Sequence, residues 1–334
     1  MSTVRVGLIG LGGMGRTHFG CYRNNPDVRI VAICDVDPRK RSGDWSGTGI
    51  NIDTGDTAQQ AELAGIALYE RYADMLADPS VDTVDICLPT SLHAAATIAA
   101  LEAGKPVLCE KPMARTVAEG EAMAAAVAAS GQPLMIGHCL RYWPQYVKAH
   151  EIIASGKYGK PFYARFYRSS ATPIWSWDGW LTDGARSGGV VLDMHVHDVD
   201  TALWWFGKPE SIRAEGITQN GCPLTVDSLW RYDNGLRVYH YGSWDNHGGG
   251  FQMRFEVRME GATLTWDSAR DSLLRLYTGG EQIEEIAVSD ESAYQREVDD
   301  FIRCVRAGRK PERVTPETSL LSLEVVLEEL RQIG

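Results

Sequence analysis

The sequence contains a glycine-rich run whose spacing suits the binding of a dinucleotide. Residues 10–15 read Gly-Leu-Gly-Gly-Met-Gly and fit G-x-G-x-x-G, directly after an apolar strand pattern and at the start of a helical one. Gly10 would make the tight turn, Gly12 would let backbone amides approach a pyrophosphate, and Gly15 would let helix and strand pack closely. The predicted cofactor contacts in this run are Gly10, Gly12, Gly13, Met14 and Gly15.

The acidic residue at the end of the second apolar run indicates which dinucleotide would bind. Asp35 follows Gly15 by 20 residues, where a carboxylate can accept hydrogen bonds from ribose hydroxyls. Its charge would repel a 2′-phosphate, so NAD is the preferred cofactor. NADP stays possible because Arg39, Lys40 and Arg41 come soon after and could neutralise that phosphate. A plain glycine-rich turn beside a solvated Asp is disfavoured, since strand, turn, helix and acid occur together.

A lysine follows the fourth apolar run. Cys109-Glu110-Lys111-Pro112 closes that run, and parallel sheets bind ligands outside the carboxyl ends of their strands. A lysine at this point could be an ordinary surface residue. Its place at a strand end, in a chain with a dinucleotide motif, favours a functional role.

A carboxylate and an imidazole recur at helical spacing further along. We predict a helix from Gly188 to about Phe206, with an apolar stripe and, beside it, Asp193, His197 and Asp200. The i, i+4 spacing lets Asp193 and His197 meet over one turn, and a carboxylate beside an imidazole suits proton transfer. An ordinary surface pair is the alternative. His195 points about 200° away from His197, which favours packing or a backbone hydrogen bond for His195 and predicts no metal site.

The secondary-structure elements that must position these residues follow two different sequence patterns, one in each part of the chain. Up to residue 137, short strands that are apolar almost throughout alternate with helical segments such as Ser91–Ala103 and Thr116–Ser130. This pattern predicts a doubly wound parallel α/β sheet covered on both faces. Ser42–Thr57 interrupts it with a predicted surface loop. The predicted strands begin at Val4, Ile30, Val84, Pro106 and Pro133.

Residues 138–334 are predicted to form a separate α+β domain. Aromatic and β-branched runs alternate with polar residues there, which indicates a large, mostly antiparallel open sheet. Asp233-Asn234-Gly235 predicts a type I′ hairpin turn, and two helices near Ser292–Ala307 and Pro316–Gln332 close the chain. The predicted strands are Phe162–Ser169, Ser228–Tyr232, Leu236–Trp244, Phe251–Met259 and Thr263–Trp266.

Composition narrows the class of protein. The 334 residues are 44% hydrophobic and 23% charged, ordinary values for a soluble globular chain of two domains. The net charge of −11 argues against a nucleic-acid partner. No apolar run approaches the roughly 20 residues that span a bilayer, and the start has no signal-peptide features. Seven dispersed cysteines without a CxxC pair indicate reduced thiols and a cytoplasmic location.

Four ordered blocks resemble those of the Gfo/Idh/MocA family. They read GLIGLGGMGRTH, LPTSLHAAATIAALEAGKPVLCEKPMA, GHCLRYWP and GGVVLDMHVHDVD, and the similarity extends to the YQREVDDFIRCVRAGRKP tail. The resemblance implies a Rossmann domain, then an α/β domain whose open sheet often mediates oligomerisation, so a homodimer or homotetramer is expected. It also implies NAD(P)-dependent oxidation or reduction at a carbon of a sugar or cyclitol.

The resemblance also implies roles for individual residues. Lys111 corresponds to a substrate-orienting lysine beside the nicotinamide, followed by a proline whose peptide bond is often cis. Asp193 and His197 match the family's D-x-x-x-H pair, with His197 as acid/base. Thr90, His93 and Glu110 lie where the family lines the cofactor site. The expected determinants of substrate binding and stereochemistry are Arg141, Tyr167, Arg168, Trp175 and Trp177, in addition to Asp193 and His197.

The tryptophans admit two interpretations. Sugars present CH faces that stack on indoles, so Trp175 and Trp177 could form a substrate wall, and core or interface packing is equally compatible with them.

The expected reaction is reversible hydride transfer between a secondary alcohol and nicotinamide C4. His197 would take the hydroxyl proton, Asp193 would orient the imidazole, and the Lys111 ammonium would stabilise the developing alkoxide. Two alternatives are a ligand sensor that binds NAD without turnover, and a redox-neutral glycosidase that retains NAD. Retention of Lys111, Asp193 and His197 argues against the sensor.

Overall fold

The chain folds into two compact units. The computed structural model describes residues 3–47, 49, 61–248, 250–280 and 283–333. The first unit contains Met1–Cys139, Trp175–Trp180 and Ser292–Leu323; the second contains Leu140–Ile174, Leu181–Glu291 and Glu324–Gly334. Within the described residues, no helix combines the length and apolar character that crossing a membrane requires.

The first unit is built on a parallel sheet of six strands. Their order is β3-β2-β1-β4-β5-β6, so the chain changes direction across the sheet beside β1. The sequence predicted all of these strands except β3. That strand has only three residues and is too short to show a hydrophobic period. The strands are β1 (Val4–Ile9), β2 (Val28–Cys34), β3 (Ala67–Tyr69), β4 (Thr83–Ile86), β5 (Val107–Glu110) and β6 (Leu134–Gly137).

Helices connect these strands and follow the predicted pattern. Thr116 caps α5 through a capping box with Glu119, and Gly131 ends that helix in the left-handed conformation. In the predicted Ser42–Thr57 loop, Trp45 is buried edge-on against Phe19, and residues 48 and 50–57 lie outside the described residues. The helices are α1 (Gly13–Asn24), α2 (Pro38–Arg41), α3 (Tyr72–Leu76), α4 (His93–Glu102) and α5 (Val117–Ser130).

The second unit is built on an eight-stranded sheet. Its order is β16-β15-β14-β13-β7-β12-β11-β8, and every neighbouring pair is antiparallel except β7 with β12. The mostly antiparallel α+β prediction is confirmed. The sheet strands are β7 (Pro161–Ser169), β8 (Ser211–Glu215), β11 (Thr225–Arg231), β12 (Arg237–Ser243), β13 (Gln252–Met259), β14 (Ala262–Asp267), β15 (Leu274–Tyr277) and β16 (Ile283–Ile286), and β9 (Thr218–Gln219) pairs separately with β10 (Cys222–Pro223).

Five further helices complete the chain. The two predicted closing helices are present as α9 and α10. A π-helical turn, Val191–His195, directly precedes α8. The helices are α6 (Pro144–Ala154), α7 (Gly184–Ser187), α8 (Val196–Phe206), α9 (Ala293–Ala307) and α10 (Pro316–Ile333).

The hairpin between β11 and β12 lies where it was predicted, but its turn type differs. Gly235 has a φ of 91°, whereas Asn234 does not have a positive φ. A type I′ turn needs positive φ at both central residues, so that prediction is wrong. Asn234 instead accepts a hydrogen bond from the Leu236 N–H through its side chain. The side-chain hydrogen bond of Asn234 and the positive φ of Gly235 favour a loop that is longer than the two-residue type I′ turn and contains a single left-handed glycine.

A buried carboxylate joins α10 to the sheet of the second unit. Glu329 accepts hydrogen bonds from Ser228 Oγ and Trp230 Nε1, and its other oxygen lies 2.8 Å from His195 Nε2. Burial alone would raise the pKa of Glu329, but the charge and hydrogen bond of His195 lower it. The group is therefore ionised. His195 is buried as expected, although its partner is a side chain rather than the backbone.

The adjacent glutamates of α10 give a matched test of this cluster. Glu329→Gln removes a buried carboxylate that accepts hydrogen bonds from Ser228 and Trp230 and lies 2.8 Å from His195 Nε2, so we expect the free energy of unfolding at neutral pH to fall by about 3 kcal/mol. Glu328→Gln alters only surface contacts, with Arg331 and Gln332, and should change the free energy of unfolding by less than about 0.5 kcal/mol. Urea unfolding measures both. Similar small losses for the two variants would contradict a structural role of the buried Glu329 cluster.

Candidate functional site

The glycine-rich loop lies at the carboxyl end of β1 and begins α1. A Cβ on Gly10 or Gly15 would collide with backbone, because it would meet the carbonyl of Cys87 or of Gly10. A Cβ on Gly12 would meet no heavy atom within 4 Å, so the backbone is open on that side. Gly12 is also the N-cap of α1 and offers no side-chain acceptor to the first-turn amides. The loop therefore presents backbone N–H groups to an incoming anion.

The Asp35 carboxylate holds this loop in place. Its two oxygens accept hydrogen bonds from the backbone N–H groups of Leu11, at 2.7 Å, and Asp37, at 2.9 Å. Among the basic residues that follow, Lys40 Nζ lies 3.8 Å from the same carboxylate. Arg39 is exposed and pairs with Asp37. Lys40 is thus the cation nearest to the predicted ribose acceptor in this basic run.

The segment after β4 carries two predicted cofactor residues, Thr90 and His93, and His93 contacts the loop after β5. His93 is buried, and its two ring nitrogens each lie 2.8 Å from a carbonyl oxygen, of Leu88 after β4 and of Pro112 after β5. Burial lowers the pKa of His93. The Oγ1 atom of Thr90 is buried and has no hydrogen-bond partner among the described residues. A buried hydroxyl in that state suits a ligand contact.

Lys111 lies directly beyond β5. Glu110, the last residue of that strand, accepts a hydrogen bond of 3.1 Å from the Lys111 N–H. The Lys111–Pro112 peptide bond is cis, as the family resemblance implied. The lysine is half-buried.

Asp193 and His197 lie on the accessible side of their helix. From Val191 to Asp200, these two are the only side chains that are not buried. The predicted pair therefore shares one face, although the turn that carries Asp193 is π-helical and not α-helical. Asp200, predicted on the same stripe, is buried instead. Asp200 lies with His197 in the regular helix α8, and its carboxylate is buried against the Arg141 guanidinium.

Two predicted substrate residues, Arg141 and Arg168, form buried ion pairs. Arg141 donates two hydrogen bonds to Asp200, at 2.9 and 2.7 Å. Arg168 donates two to Asp198, at 3.0 and 2.8 Å. Both guanidinium groups are almost fully buried. Their charges are thus already paired with the α8 carboxylates Asp200 and Asp198, which follow His197 in the chain, and a role of these arginines in substrate binding stays a prediction.

Tyr167 lies on the other face of the sheet from Arg168. Neighbouring residues of a strand point to opposite faces, and Tyr167 stacks on Tyr241 at 5.2 Å, under the Arg254 guanidinium. The burial alternation of β7 places Arg168 on the buried face together with Phe166. Tyr167 and Arg168 therefore point to opposite faces of the sheet, and their roles in substrate binding stay predictions.

The tryptophan pair is exposed. Trp175 and Trp177 are 39% and 50% exposed and belong to the first unit. A Cβ on Gly49 would lie 2.7 Å from the Trp175 ring, so a side chain at position 49 would crowd that indole. Exposed indoles suit either a substrate wall or an interface, and both predictions stand.

Two clusters of the described residues bring metal-ligand atoms within 4.8 Å of one another. They are His18 with Asp85 and Cys87, and His195 with His240 and Glu329. In each, a histidine nitrogen lies 2.8 Å from a carboxylate oxygen, so a direct histidine–carboxylate contact accounts for the cluster. His18 and Asp85 were missed in the sequence, although the GRTH block contains the histidine; its partner gives no local signal.

Family models match most of the chain. The model described as an oxidoreductase family with an NAD-binding Rossmann fold matches residues 4–138, and the GFO/IDH/MocA C-terminal domain matches residues 146–265. The chain belongs to the Gfo/Idh/MocA oxidoreductase family. The identification made from the four sequence blocks is confirmed.

Relatives of this family member are named as polyol dehydrogenases. An inositol 2-dehydrogenase of Rubrobacter xylanophilus is 30% identical over 68% of this chain, and the chain spans only 59% of that relative's length. The scyllo-inositol 2-dehydrogenase (NAD(+)) of Bacillus subtilis is 27% identical over 96% of this chain and 92% of its own. A levoglucosan dehydrogenase solved with NADH and levoglucosan has a TM-score of 0.84, with 20% identity and coverage of 99% and 98%, and shows the same fold.

Proposed function

We propose that this protein oxidises a secondary hydroxyl of a sugar, sugar derivative or cyclitol to a ketone, and catalyses the reverse reduction, with NAD as the hydride carrier. The observation that carries the proposal is the accessible Asp193/His197 pair, in a chain whose Rossmann unit has an open glycine loop. The polyol dehydrogenases among its relatives support the substrate class. The reducing cytoplasm is the proposed location, in keeping with the seven cysteines, all of which are free thiols.

The residues of the first unit fit a dinucleotide. The first-turn amides of α1 would hold the pyrophosphate, Asp35 the adenosine ribose, and the hydroxyl of Thr90 would meet a polar group of the ligand. When bound, the nicotinamide ring supplies the hydride chemistry at C4. We assign this role to residues 1–137, and substrate binding and assembly to residues 138–334.

Proton transfer is assigned to the second unit. His197 removes the proton of the substrate hydroxyl as hydride leaves the adjoining carbon, and Asp193, one turn earlier on the accessible side, stabilises the imidazolium. As the family resemblance implies for this lysine, the Lys111 ammonium would stabilise the negative charge that develops on a substrate oxygen. Trp175 and Trp177 are proposed to stack on the CH faces of the substrate.

These roles predict which substitutions stop turnover. With a panel of inositols, hexoses, sugar acids and glycosides, we expect reduction of NAD by at least one polyol class. Lys111→Ala and His197→Ala should each lower kcat by roughly 100-fold or more, because an acid/base group or a charge stabiliser is lost. Affinity for NAD should stay within about threefold.

His247→Ala is the matched control, since His247 is an exposed histidine of the same unit, and it should leave kcat unchanged. Equal losses of turnover and of NAD affinity in Lys111→Ala would contradict the catalytic assignment. Binding of NADH without turnover on any substrate would favour the ligand sensor. Release of aglycone without net NADH would favour the glycosidase.

Cofactor choice is proposed to depend on Asp35 and Lys40. Asp35→Asn keeps an acceptor for the Leu11 N–H but removes the charge that faces a 2′-phosphate. We expect the ratio of kcat/KM for NADP to that for NAD to rise about tenfold or more, because Lys40 can then meet the phosphate. Adding Lys40→Ala should abolish the gain. An unchanged ratio in Asp35→Asn would contradict this account.

We infer that the chain assembles into a homo-oligomer through the outer face of the eight-stranded sheet. Tyr163 stacks with Tyr239 and Tyr167 with Tyr241, and arginines lie over two of these rings. Tyrosine and arginine are enriched at protein interfaces, and the self-complementary partner for such a face is a second copy. A homodimer or homotetramer would cover it.

Sedimentation equilibrium tests this assembly. Tyr239→Glu places a charge in the proposed interface and should shift the protein towards monomer. Leu68→Glu, at an exposed position of the first unit, should not. A wild-type chain that sediments as a monomer at micromolar concentration would contradict the proposal.

A further inference from the structure

A buried histidine lies between two carboxylates in the first unit. His18, on α1, has no exposed surface; its Nδ1 lies 2.8 Å from Asp85 Oδ2 on β4, and its Nε2 lies 3.3 Å from Glu110 Oε1 at the end of β5. Both carboxylates are buried as well. The proposed mechanism uses none of this arrangement, although Glu110 adjoins Lys111 in the chain.

The charge of the cluster follows from its geometry. A neutral imidazole can donate a proton to only one side, and the carboxylate on the other side would then be buried without a counter-charge, which is costly. Burial alone would lower the pKa of His18, but the Asp85 charge raises it well above its usual value. Burial alone would likewise raise the pKa of Glu110, and His18 lowers it. The cluster therefore holds one imidazolium between two carboxylates.

The remaining groups around His18 do not replace its charge. Cys87 Sγ lies 3.7 Å from its Nδ1, and burial raises the pKa of that thiol. Tyr22 and, on α9, Tyr294 are buried phenols whose pKa values burial also raises, so both stay neutral. Glu297, also on α9, is a further buried acidic residue.

The Glu110 carboxylate contacts both His18 and the backbone of Lys111. One carboxylate oxygen faces His18, and the other accepts the Lys111 N–H at 3.1 Å. Gly137 on β6 leaves space for this carboxylate, because a Cβ at position 137 would lie only 3.2 Å from Glu110 Oε1. We propose that His18 is a positioning residue for the reaction: as an imidazolium bridging Asp85 and Glu110, it fixes the Glu110 carboxylate and, through it, the backbone of Lys111.

The test compares His18→Gln with Glu110→Gln and with the double variant. Because the two residues act through one contact, each single variant should lower kcat by about 10- to 100-fold. NAD affinity should stay within about threefold. The double variant should be no worse than His18→Gln alone, since removing the Glu110 charge relieves the imbalance. Asp82→Asn, which breaks a partly exposed pair with Arg5, is the control for simple loss of stability and should keep wild-type kcat.

The proposal rests on the proposed role of Lys111, so Lys111→Ala is measured alongside. If Lys111→Ala turns over normally, the lysine role fails and the inference about His18 fails with it. If Lys111→Ala is inactive while His18→Gln has wild-type kcat, or if the two single losses multiply in the double variant, only the inference is overturned.

A measurement on the wild-type protein does not depend on the folding of variants. In a sample with ¹⁵N-labelled histidine, the ring nitrogens of His18 should both show N–H signals at pH 8, as an imidazolium does. A neutral His18 at pH 8 would overturn the proposal.

Discussion

A carboxylate that leaves water must meet a cation or several hydrogen-bond donors, and this requirement organises both units of the chain. In the first unit Asp85 and Glu110 share the imidazolium of His18. In the second, Asp198 and Asp200 are paired with Arg168 and Arg141, and Glu329 with His195. Removing one partner of such a pair leaves a buried charge uncompensated, so each pair fixes its backbone segment strongly.

The buried pairs lie next to the proposed catalytic residues in the chain. Glu110 precedes Lys111. Asp198 follows His197, and His195 lies between Asp193 and His197. An active group must be accessible to substrate and yet hold its position, and a neighbouring buried ion pair supplies the second property without occupying the accessible face. In the second unit, the buried side chains near Asp193 and His197 hold the helix in place, while these two residues stay half-exposed.

The sequence predicted those features that depend on local pattern. Apolar runs identified the strands of the parallel sheet, and the glycine spacing identified the loop at the end of β1, because steric demands on Gly10 and Gly15 are local. The family blocks identified Lys111, Asp193 and His197. The position of Lys40 beside Asp35 followed from proximity in sequence.

What the sequence left open depends on contacts between distant residues. Arg141 and Arg168 have the chemistry of substrate ligands, but their partners lie 59 and 30 residues away, so no local pattern shows that both charges are already used. Likewise His195 and Glu329 are 134 residues apart. The π-helical turn before α8 escaped notice because a periodicity of 100° assumes a regular α-helix.

The central claim is that this chain moves hydride between a substrate carbinol carbon and nicotinamide C4. The most direct measurement uses the active polyol with deuterium at the reacting carbon and follows the label by mass spectrometry of the reduced cofactor. The account predicts one deuterium in each NADH formed and none in NADH from unlabelled substrate. Reduced cofactor that lacks the label, or product that forms without net reduction of NAD, would contradict it.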